Sequence, residues 1–559
     1  MRVRTKSGLI VTAALLAGFF CYAEQKALEV IWVDFDMKSI PEPKERPSGI
    51  YETFFKGQVV EGAKRDLDIS HWVRQSLGRP HQAKNVNALD EVPDSSWYTN
   101  RHYLHRMTID QLVRGPDRGN APDLSHGVVT KAKIQGVSPG MFVKDAHGDK
   151  YLIKFDMAGY ENLQSAAEVI STKILYASGY NVPENYVAYL DPKGLEIAKD
   201  VQITDPNNGQ KRALTHDDID QMLRRVARTP EGLCRVLASK VLAGKSKGPF
   251  PQLGFRHDDP NDLIPHEDRR ELRGFRVFAS WINDWDIKEQ QSLDMYVEEG
   301  GRKFLRHYLL DFGASLGADT DPTEFFHGRE YGLDKVTLAK KITSLGLYTA
   351  PDEKVAMIIS PEIGNFTSTD FDPENWKQTY PAIVFDNLTH QDAFWATRVI
   401  LSFSEDELRS IIEAGRYKDP KTVDYILRTL LERREKLARA WLSKVDALTD
   451  FSVHPATDGV ALGFRDLMVD NKLAHADATE YQYEIRGASY KSGKRITGHR
   501  EIVISRSELA AAIEKSNPNS LVEVVIWTRR ENSTSEPVHV TFDWSPTREG
   551  STIRRISRG

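Results

Sequence analysis

Cysteine is nearly absent: the 559 residues hold two, Cys21 and Cys234. That excludes a disulfide scaffold, and secreted eukaryotic proteins of this size usually carry several bridges. Charge of one sign is equally scarce. The 75 basic and 80 acidic residues are well mixed and leave a net charge of −5, and no basic stripe marks a nucleic-acid surface. Long apolar runs are missing too. The stretch Leu9–Phe20 falls well short of the ~20 residues a spanning helix needs. Several catalytic signatures are absent. No Gly-x-Ser-x-Gly elbow occurs, and His266-Glu267 lacks a second histidine four residues from the first, which excludes a zincin helix. Asp284, Asp286 and Lys288 do not form an EF-hand, because lysine replaces a ligand and no glycine follows.

What is present begins with export. Arg2, Arg4 and Lys6 precede the apolar run, and Cys21-Tyr22-Ala23 offers a small residue at a cut site. This is the pattern of a cleaved signal peptide, expected to span residues 1–23 and to leave Glu24 as the new N-terminus. Gly18-Phe19-Phe20 is a poor lipobox, so a lipid anchor on Cys21 is not expected. After cleavage no transmembrane segment is expected, and the single remaining thiol fits a bacterial periplasm or cell surface. Cys234 lies in the apolar stretch Leu233–Leu242 and reads as a buried small hydrophobe.

Residues 24–125 are rich in Pro, Asp, Asn and Arg and read as an irregular N-terminal extension that wraps a neighbouring domain. Within it, Pro93-Asp94-Ser95 is a turn signal, and Trp97 and Tyr98 are expected to anchor that turn to a core. From Val128 the pattern becomes regular. Thr130–Ile134, Met141–Lys144 and Lys150–Phe155 read as strands, with Gly136-Val-Ser-Pro-Gly140 as a loop. A helix is predicted from about Asn162 to Ala177, with Ala166, Ile170, Ile174 and Ala177 at helical spacing. Gly179 closes it. From about 215 to 450 a mainly helical region is expected. It includes a helix over His266–Ile282, a capping box at Ser404-Glu-Asp-Glu407 and a long helix over Lys421–Val445. The charged run Glu432–Lys436 on that helix reads as a solvated face. Arg269, Arg270, Arg273 and Arg276 suit ion pairs at least as well as phosphate. After about 455, β-branched and alternating segments predict a β-rich domain around one helix, Ser507–Lys515. Arg548, Arg554, Arg555 and Arg558 in the tail read as an exposed strand face.

The middle of the chain carries a specific order of parts. A Gly-bearing hairpin precedes a strand ending in Lys154, and a helix carrying Glu168 follows. Further on come Trp281-Ile-Asn-Asp-Trp-Asp-Ile-Lys-Glu-Gln-Gln291 and Tyr308-Leu-Leu-Asp-Phe-Gly313, separated by a predicted hairpin. Phosphoryl transfer needs such parts, because the protein there positions phosphates and offsets charge. Backbone N–H groups of a glycine hairpin approach the phosphates. A lysine reaches them and a helix carboxylate holds that lysine. One aspartate accepts the proton of the attacking hydroxyl, and oxygen ligands hold Mg²⁺.

With these residues in view, the segment from about 128 to 450 resembles the protein-kinase-like superfamily, in its atypical branch with the HipA-like kinases. Asn85–Arg101, Lys154-Phe-Asp, Gly179–Asn185, Asp258–Asp262, Pro265–Leu272 and His307–Gly317 also resemble stretches of a family of exported bacterial proteins from which no activity carries over. The kinase resemblance implies an α+β fold: a bilobal protein-kinase-like domain with an irregular N-terminal extension and a C-terminal β-rich domain. The N-lobe would span 126–195, the helical C-lobe 196–450 and the β-rich domain 451–559. It implies roles as well. Asp286 matches the catalytic aspartate, with Lys288 the basic residue two on. Asp311 and Gln291 would hold Mg²⁺. Lys154 would pair with ATP phosphates and with Glu168, or with Glu161 as an alternative. Gly136 and Gly140 would lie over the phosphates. The chain departs from the kinase pattern at three places: Gln291 replaces an asparagine, Asp284-Trp285 stands where a histidine–arginine pair is usual, and the glycine loop is incomplete. The implied function is an exported kinase-like protein transferring a phosphoryl group from ATP to a hydroxyl of an envelope protein or glycan. A pseudokinase that binds or scaffolds is the alternative, and nucleotide transfer on the same fold is a third.

Overall fold

The computed structural model describes residues 30–46, 67, 69–77, 80–119, 121–133, 140–204, 210–319, 328–329, 331, 334–349, 358–513, 521–531, 533–545 and 550–559. The expected signal segment 1–23, Gly136 and Arg548 lie outside them. The protein is α+β and divides into two compact units.

The larger unit comprises Phe35–Lys84 and Asp94–Ala440. Its main sheet is antiparallel and runs β4-β5-β3-β2-β1, from β1 (Val128–Lys133), β2 (Gly140–Lys144), β3 (Lys150–Phe155), β4 (Asn185–Leu190) and β5 (Cys234–Lys240). A two-residue strand, Glu196–Ile197, adds in parallel at the β1 edge. Alternation decides the faces. Tyr151, Ile153 and Phe155 are buried in the core under the sheet, so Leu152 and Lys154 project from the other side. Gly140, expected in a loop, is the first residue of β2 and pairs with Lys154. The expectation of a mainly helical chain from about 215 misses β5, which fills the sheet between β3 and β4. Cys234 is buried at its start.

The helix after β3, α1 (Leu163–Ser178), is buried on nearly every side. Asp156 starts it by accepting the Asn162 and Ser165 amides at 3.1 and 2.9 Å, and Gly179 ends it at φ +121°. The predicted single helix over His266–Ile282 is divided. A 3-10 turn, His266–Asp268, precedes α2 (Arg270–Ile282), and Arg269 between them is extended with its guanidinium 4.6 Å from the Trp97 ring. The hairpin β6 (Ser292–Glu299) and β7 (Arg302–Leu309) turns through Gly300 and Gly301, both at positive φ.

Helix α3 (His390–Leu401) packs on α2, and α4 (Pro420–Leu442) ends the unit. The charged run on α4 is a solvated face only in part, at Glu432 and Glu435. Arg433 is buried, stacks 3.8 Å over Phe371 and donates to the carbonyls of Trp281, Thr367 and Ser280. Lys436 likewise donates to three carbonyls, those of Ser368, Thr369 and Phe371. The α2 arginines serve ion pairs and carbonyls: Arg270 and Arg273 meet Asp392, Arg273 also meets Asp268, and Arg276 donates to Glu374 and Trp376.

The second unit joins Asn85–Pro93 to Trp441–Gly559, with the described part of Met1–Asp34. One sheet is β8 (Leu448–Ala456), β9 (Gly459–Asp466) and the strand Glu501–Ile504. The other is built on Thr479–Arg486, Leu521–Arg530, Val538–Asp543 and Ile553–Arg558. Leu462, Ile504, Val524 and Phe542 belong to one core shared by both sheets and by the helix Arg506–Ala512. The basic tail is only partly exposed, since Arg558 pairs with Asp90 at 3.3 Å and Arg554 with Asp543 at 2.6 Å.

Candidate active site

A cavity of about 630 Å³ opens in the larger unit, and Gly140, Lys154, Glu168, Asp286 and Asp311 all line it. They come from β2, β3, α1 and the two loops that flank the β6–β7 hairpin. Lys154 Nζ lies 2.6 Å from Asp311 Oδ1 and 3.2 Å from Glu168 Oε2. Burial alone would depress the ammonium. The two carboxylates reverse this and hold it protonated, above its ordinary range. Gly140 stands directly across from Lys154 in the β2–β3 register, and a Cβ there would meet the Ile153 carbonyl at 3.2 Å. Its lack of a side chain keeps the cavity open beside the ammonium.

Glu168, not the alternative Glu161, makes the ion pair. Its other oxygen accepts the Phe312 amide at 3.0 Å and the Asn185 side chain at 3.4 Å. Burial raises its pKa and Asp311 adds to the rise, against the pull of Lys154. The contact depends on Gly313, where a Cβ would sit 3.0 Å from Glu168 Oε2. Asp311 itself is left-handed, at φ +64°, a conformation that costs an L residue ~1–2 kcal/mol. Its side chain is 53% exposed, toward the cavity.

Asp286 is held from two sides. Lys288 Nζ reaches both its oxygens, at 2.9 and 2.8 Å, and Gln291 Nε2 donates to one at 3.1 Å. Burial raises the Asp286 pKa, with Asp311 and Asp319 adding to it and Lys288 opposing. A carboxylate tuned upward is a better proton acceptor at neutral pH than an ordinary one. Gln291 Oε1 accepts the Lys288 backbone amide at 3.0 Å, so its oxygen is turned away from the cavity, which it does not line.

One carboxylate was not singled out from the sequence. Asp284 is 3% exposed, and its Oδ1 has no hydrogen-bond partner among the described residues. Burial raises its pKa far above the carboxylate range, and Asp286, Glu168 and Asp311 push it the same way. The shift favours its protonated form. Its one visible signal was its place two residues before Asp286. Asn185, which holds Glu168, and Gly313 gave even less.

The donors fit a nucleotide with a hard divalent cation. Carboxylates outnumber ammonium groups around the cavity, and oxygen donors are what Mg²⁺ takes. Asp311 is more exposed than Glu168 or Asp286. Ala132, Phe142, Leu152, Leu237 and Ala314 add an apolar wall of the kind that accepts a planar base. Among the described residues, no three His, Cys, Asp or Glu side chains already stand grouped as a metal site.

No protein-family model matches the chain, and no curated protein matches it. Among solved structures it is similar to the Helicobacter pylori proinflammatory kinase CtkA, at 12% identity over 57% of this chain and 92% of that one, with a TM-score of 0.27. It is also similar to a Golgi casein kinase with Mn/ADP bound, at 10% identity over 73% and 96% of the two chains, TM-score 0.31. A second Golgi casein kinase structure gives 9%, 73% and 97%, TM-score 0.30. TM-scores this low carry no argument about this chain, so its function is argued from the geometry of its own site.

Proposed function

We propose that this protein is an exported, kinase-like phosphotransferase that takes ATP with Mg²⁺ and phosphorylates a hydroxyl of an envelope protein or glycan. The observation that carries the reading is the placement of Lys154 Nζ between Glu168 and Asp311, in the cavity that Asp286 also lines. Two elements far apart in sequence converge on one cation, as a group that must hold a phosphate chain needs. Lys154 binds phosphate oxygens and Glu168 keeps it aimed. Asp286, with its raised pKa, takes the proton from the acceptor hydroxyl, and Lys288 beside it offsets charge. When bound, Mg²⁺ would supply positive charge against the phosphates. Asp311 is the residue placed to hold it, whereas Gln291 would first have to leave Asp286 and Lys288. Leu152, Leu237 and Phe142 supply the slot for the base. The signal-like N-terminus sets the compartment in this reading, so the phosphate donor must be met outside the cytoplasm or before export ends.

The test is the melting temperature of the mature chain with ATP, with and without Mg²⁺, and again with Asp311→Ala. A ligand bound only by the folded state adds about 2.7 kcal/mol at a hundredfold excess over Kd. A Mg²⁺-dependent shift lost in Asp311→Ala supports the reading, and no shift with any nucleotide sinks it. One observation favours a second reading, a pseudokinase that binds a partner. Both oxygens of Asp286 are already engaged by Lys288 and Gln291. Nucleotide binding without phosphate or nucleotide transfer to any acceptor would mark that case.

A further inference from the structure

We propose that the Ser95–Tyr98 turn, outside the strands and helices that build the cavity, is a strut that positions Asp311 and Glu168 relative to each other, with Trp97 and Tyr98 as positioning residues. The inference rests on the phosphotransferase reading for its meaning, though not for its structural test.

The turn is fully tied down. Ser95 N–H donates to the Tyr98 carbonyl at 2.8 Å, and Ser95 Oγ accepts the amides of Trp97 and Tyr98. The Asp36 carboxylate takes the Ser96 amide at 3.0 Å and its hydroxyl at 2.6 Å. Trp97 and Tyr98 are 4% and 2% exposed, so neither offers a face to a ligand. Buried polar groups this well satisfied make a rigid element.

One side of the turn grips β7. The Trp97 ring lies flat on His307, with centroids 3.5 Å apart and planes 12° from parallel. His307 N–H donates to the Ser96 carbonyl at 3.2 Å, and Asn181 Nδ2 donates to both the Ser96 and His307 carbonyls. His307 Nδ1 meets Asp294 Oδ1 at 2.6 Å, and Arg256 holds the other Asp294 oxygen at 2.6 Å. His307 is four residues before Asp311 on the same strand and its exit.

The other side grips the end of α1. The Tyr98 hydroxyl donates to the Ser178 carbonyl at 2.6 Å, Thr99 N–H to Gly179, and His102 N–H to Ala177. The Tyr98 ring occupies the space over Gly179, where a Cβ would fall 2.2 Å from it. Glu168 rides on that helix. The two carboxylates flanking Lys154 thus stand on separate elements, and this turn touches both. Truncating its side chains removes ties between α1 and β7 that add to the direct bonds of Asn181 with His307 and Leu309, and is expected to lengthen the Phe312 amide to Glu168 contact, 3.0 Å as it stands.

The experiment compares Trp97→Ala, Trp97→Phe and Tyr98→Phe with Val540→Ala, a destabilising core change in the other unit. Amide exchange is read at Leu309–Phe312 and Leu175–Gly179, and Mg²⁺·ATP affinity by melting shift. Trp97→Ala is expected to speed exchange at both segments by about tenfold, to weaken nucleotide binding by about tenfold, and to be largely rescued by phenylalanine, which keeps the stack. Val540→Ala should leave both readouts unchanged. Exchange at both segments unchanged in folded Trp97→Ala overturns the strut, whether or not nucleotide binds. If Trp97→Ala does not fold, Tyr98→Phe decides on the α1 segment alone. Failure of the wild-type chain to bind any nucleotide instead overturns the phosphotransferase reading, and the exchange result still stands or falls by itself.

Discussion

Gln291 spends both ends of its side-chain amide on the loop that carries Asp286: Nε2 donates to the Asp286 carboxylate at 3.1 Å, and Oε1 accepts the Lys288 amide at 3.0 Å. Under the proposed function, Gln291 would aim the base Asp286 and leave metal holding to Asp311. Gln291→Ala is therefore expected to leave the Mg²⁺ concentration for a half-maximal ATP melting shift within about twofold of wild type, while Asp311→Ala raises it at least about tenfold. A Mg²⁺ titration of the two variants checks this. Equal loss in both would make Gln291 a metal ligand.

Gly313 is a glycine because Glu168 needs the room. Its φ is not in the left-handed region, so Gly313→Ala tests space alone. The added methyl would press on Glu168 Oε2 from 3.0 Å, and that carboxylate cannot give without lengthening its bonds to Lys154 and Phe312. We expect a stability loss of about 1–2 kcal/mol and a nucleotide affinity about tenfold lower. Denaturant titration and ATP melting shifts measure the two. A variant that keeps full affinity would show that Glu168 does not set the lysine.

How much of this was legible from the sequence depends on the range of the interactions. Lys154 faces the cavity because Tyr151, Ile153 and Phe155 alternate into the core, and period-two alternation is visible in the chain itself. The apolar spacing of α1 and the capping box of the helix Glu405–Glu413, where Ser404 and Glu407 cap each other, are equally local. The misread elements depend on distant residues. An apolar run such as Leu233–Leu242 fits a buried strand or a buried helix, and only pairing with β3 and β4 decides it. Arg433 looked solvated because its acceptors, Ser280, Trp281 and Thr367, are far away in sequence. Asp284 was read only as a departure from the kinase pattern for the same reason: its burial comes from packing, not from its neighbours in the chain.

Gly179 lies at φ +121° with the Tyr98 ring where a Cβ would go, 2.2 Å away. Gly179→Ala meets both a backbone penalty and a collision, and is expected to cost about 3 kcal/mol or more. Thermal denaturation of the variant measures it. Tyr98→Phe, which keeps the ring and removes only the hydroxyl bond to Ser178, should cost about 1 kcal/mol. Similar losses in the two would mean that the ring can move aside.

Asp117 makes acid stabilise this fold over part of the pH range. Its carboxylate is buried beside Lys173 Nζ at 3.1 Å, with Glu184 nearby and Oδ1 unpartnered among the described residues. Burial, against the pull of Lys173, pushes its pKa up to about 6 from an ordinary 3.8, and burial lowers the Lys173 pKa as well. The native state therefore keeps a proton at Asp117 between these values, where the unfolded chain has lost it. Stability falls as pH rises through that window, and the penalty, ~3 kcal/mol for a shift of about two units, is complete above pH ~7. Acidifying from pH 7 to pH 5 should recover roughly 1 kcal/mol at this site. The double variant Asp117→Asn with Lys173→Met removes the pair without leaving an unmatched ammonium. Urea denaturation at both pH values should then show a wild-type gain on acidification that exceeds the double variant's by about that amount, since the other carboxylates are common to both chains. An identical pH dependence in the two proteins would place the Asp117 pKa at its ordinary value.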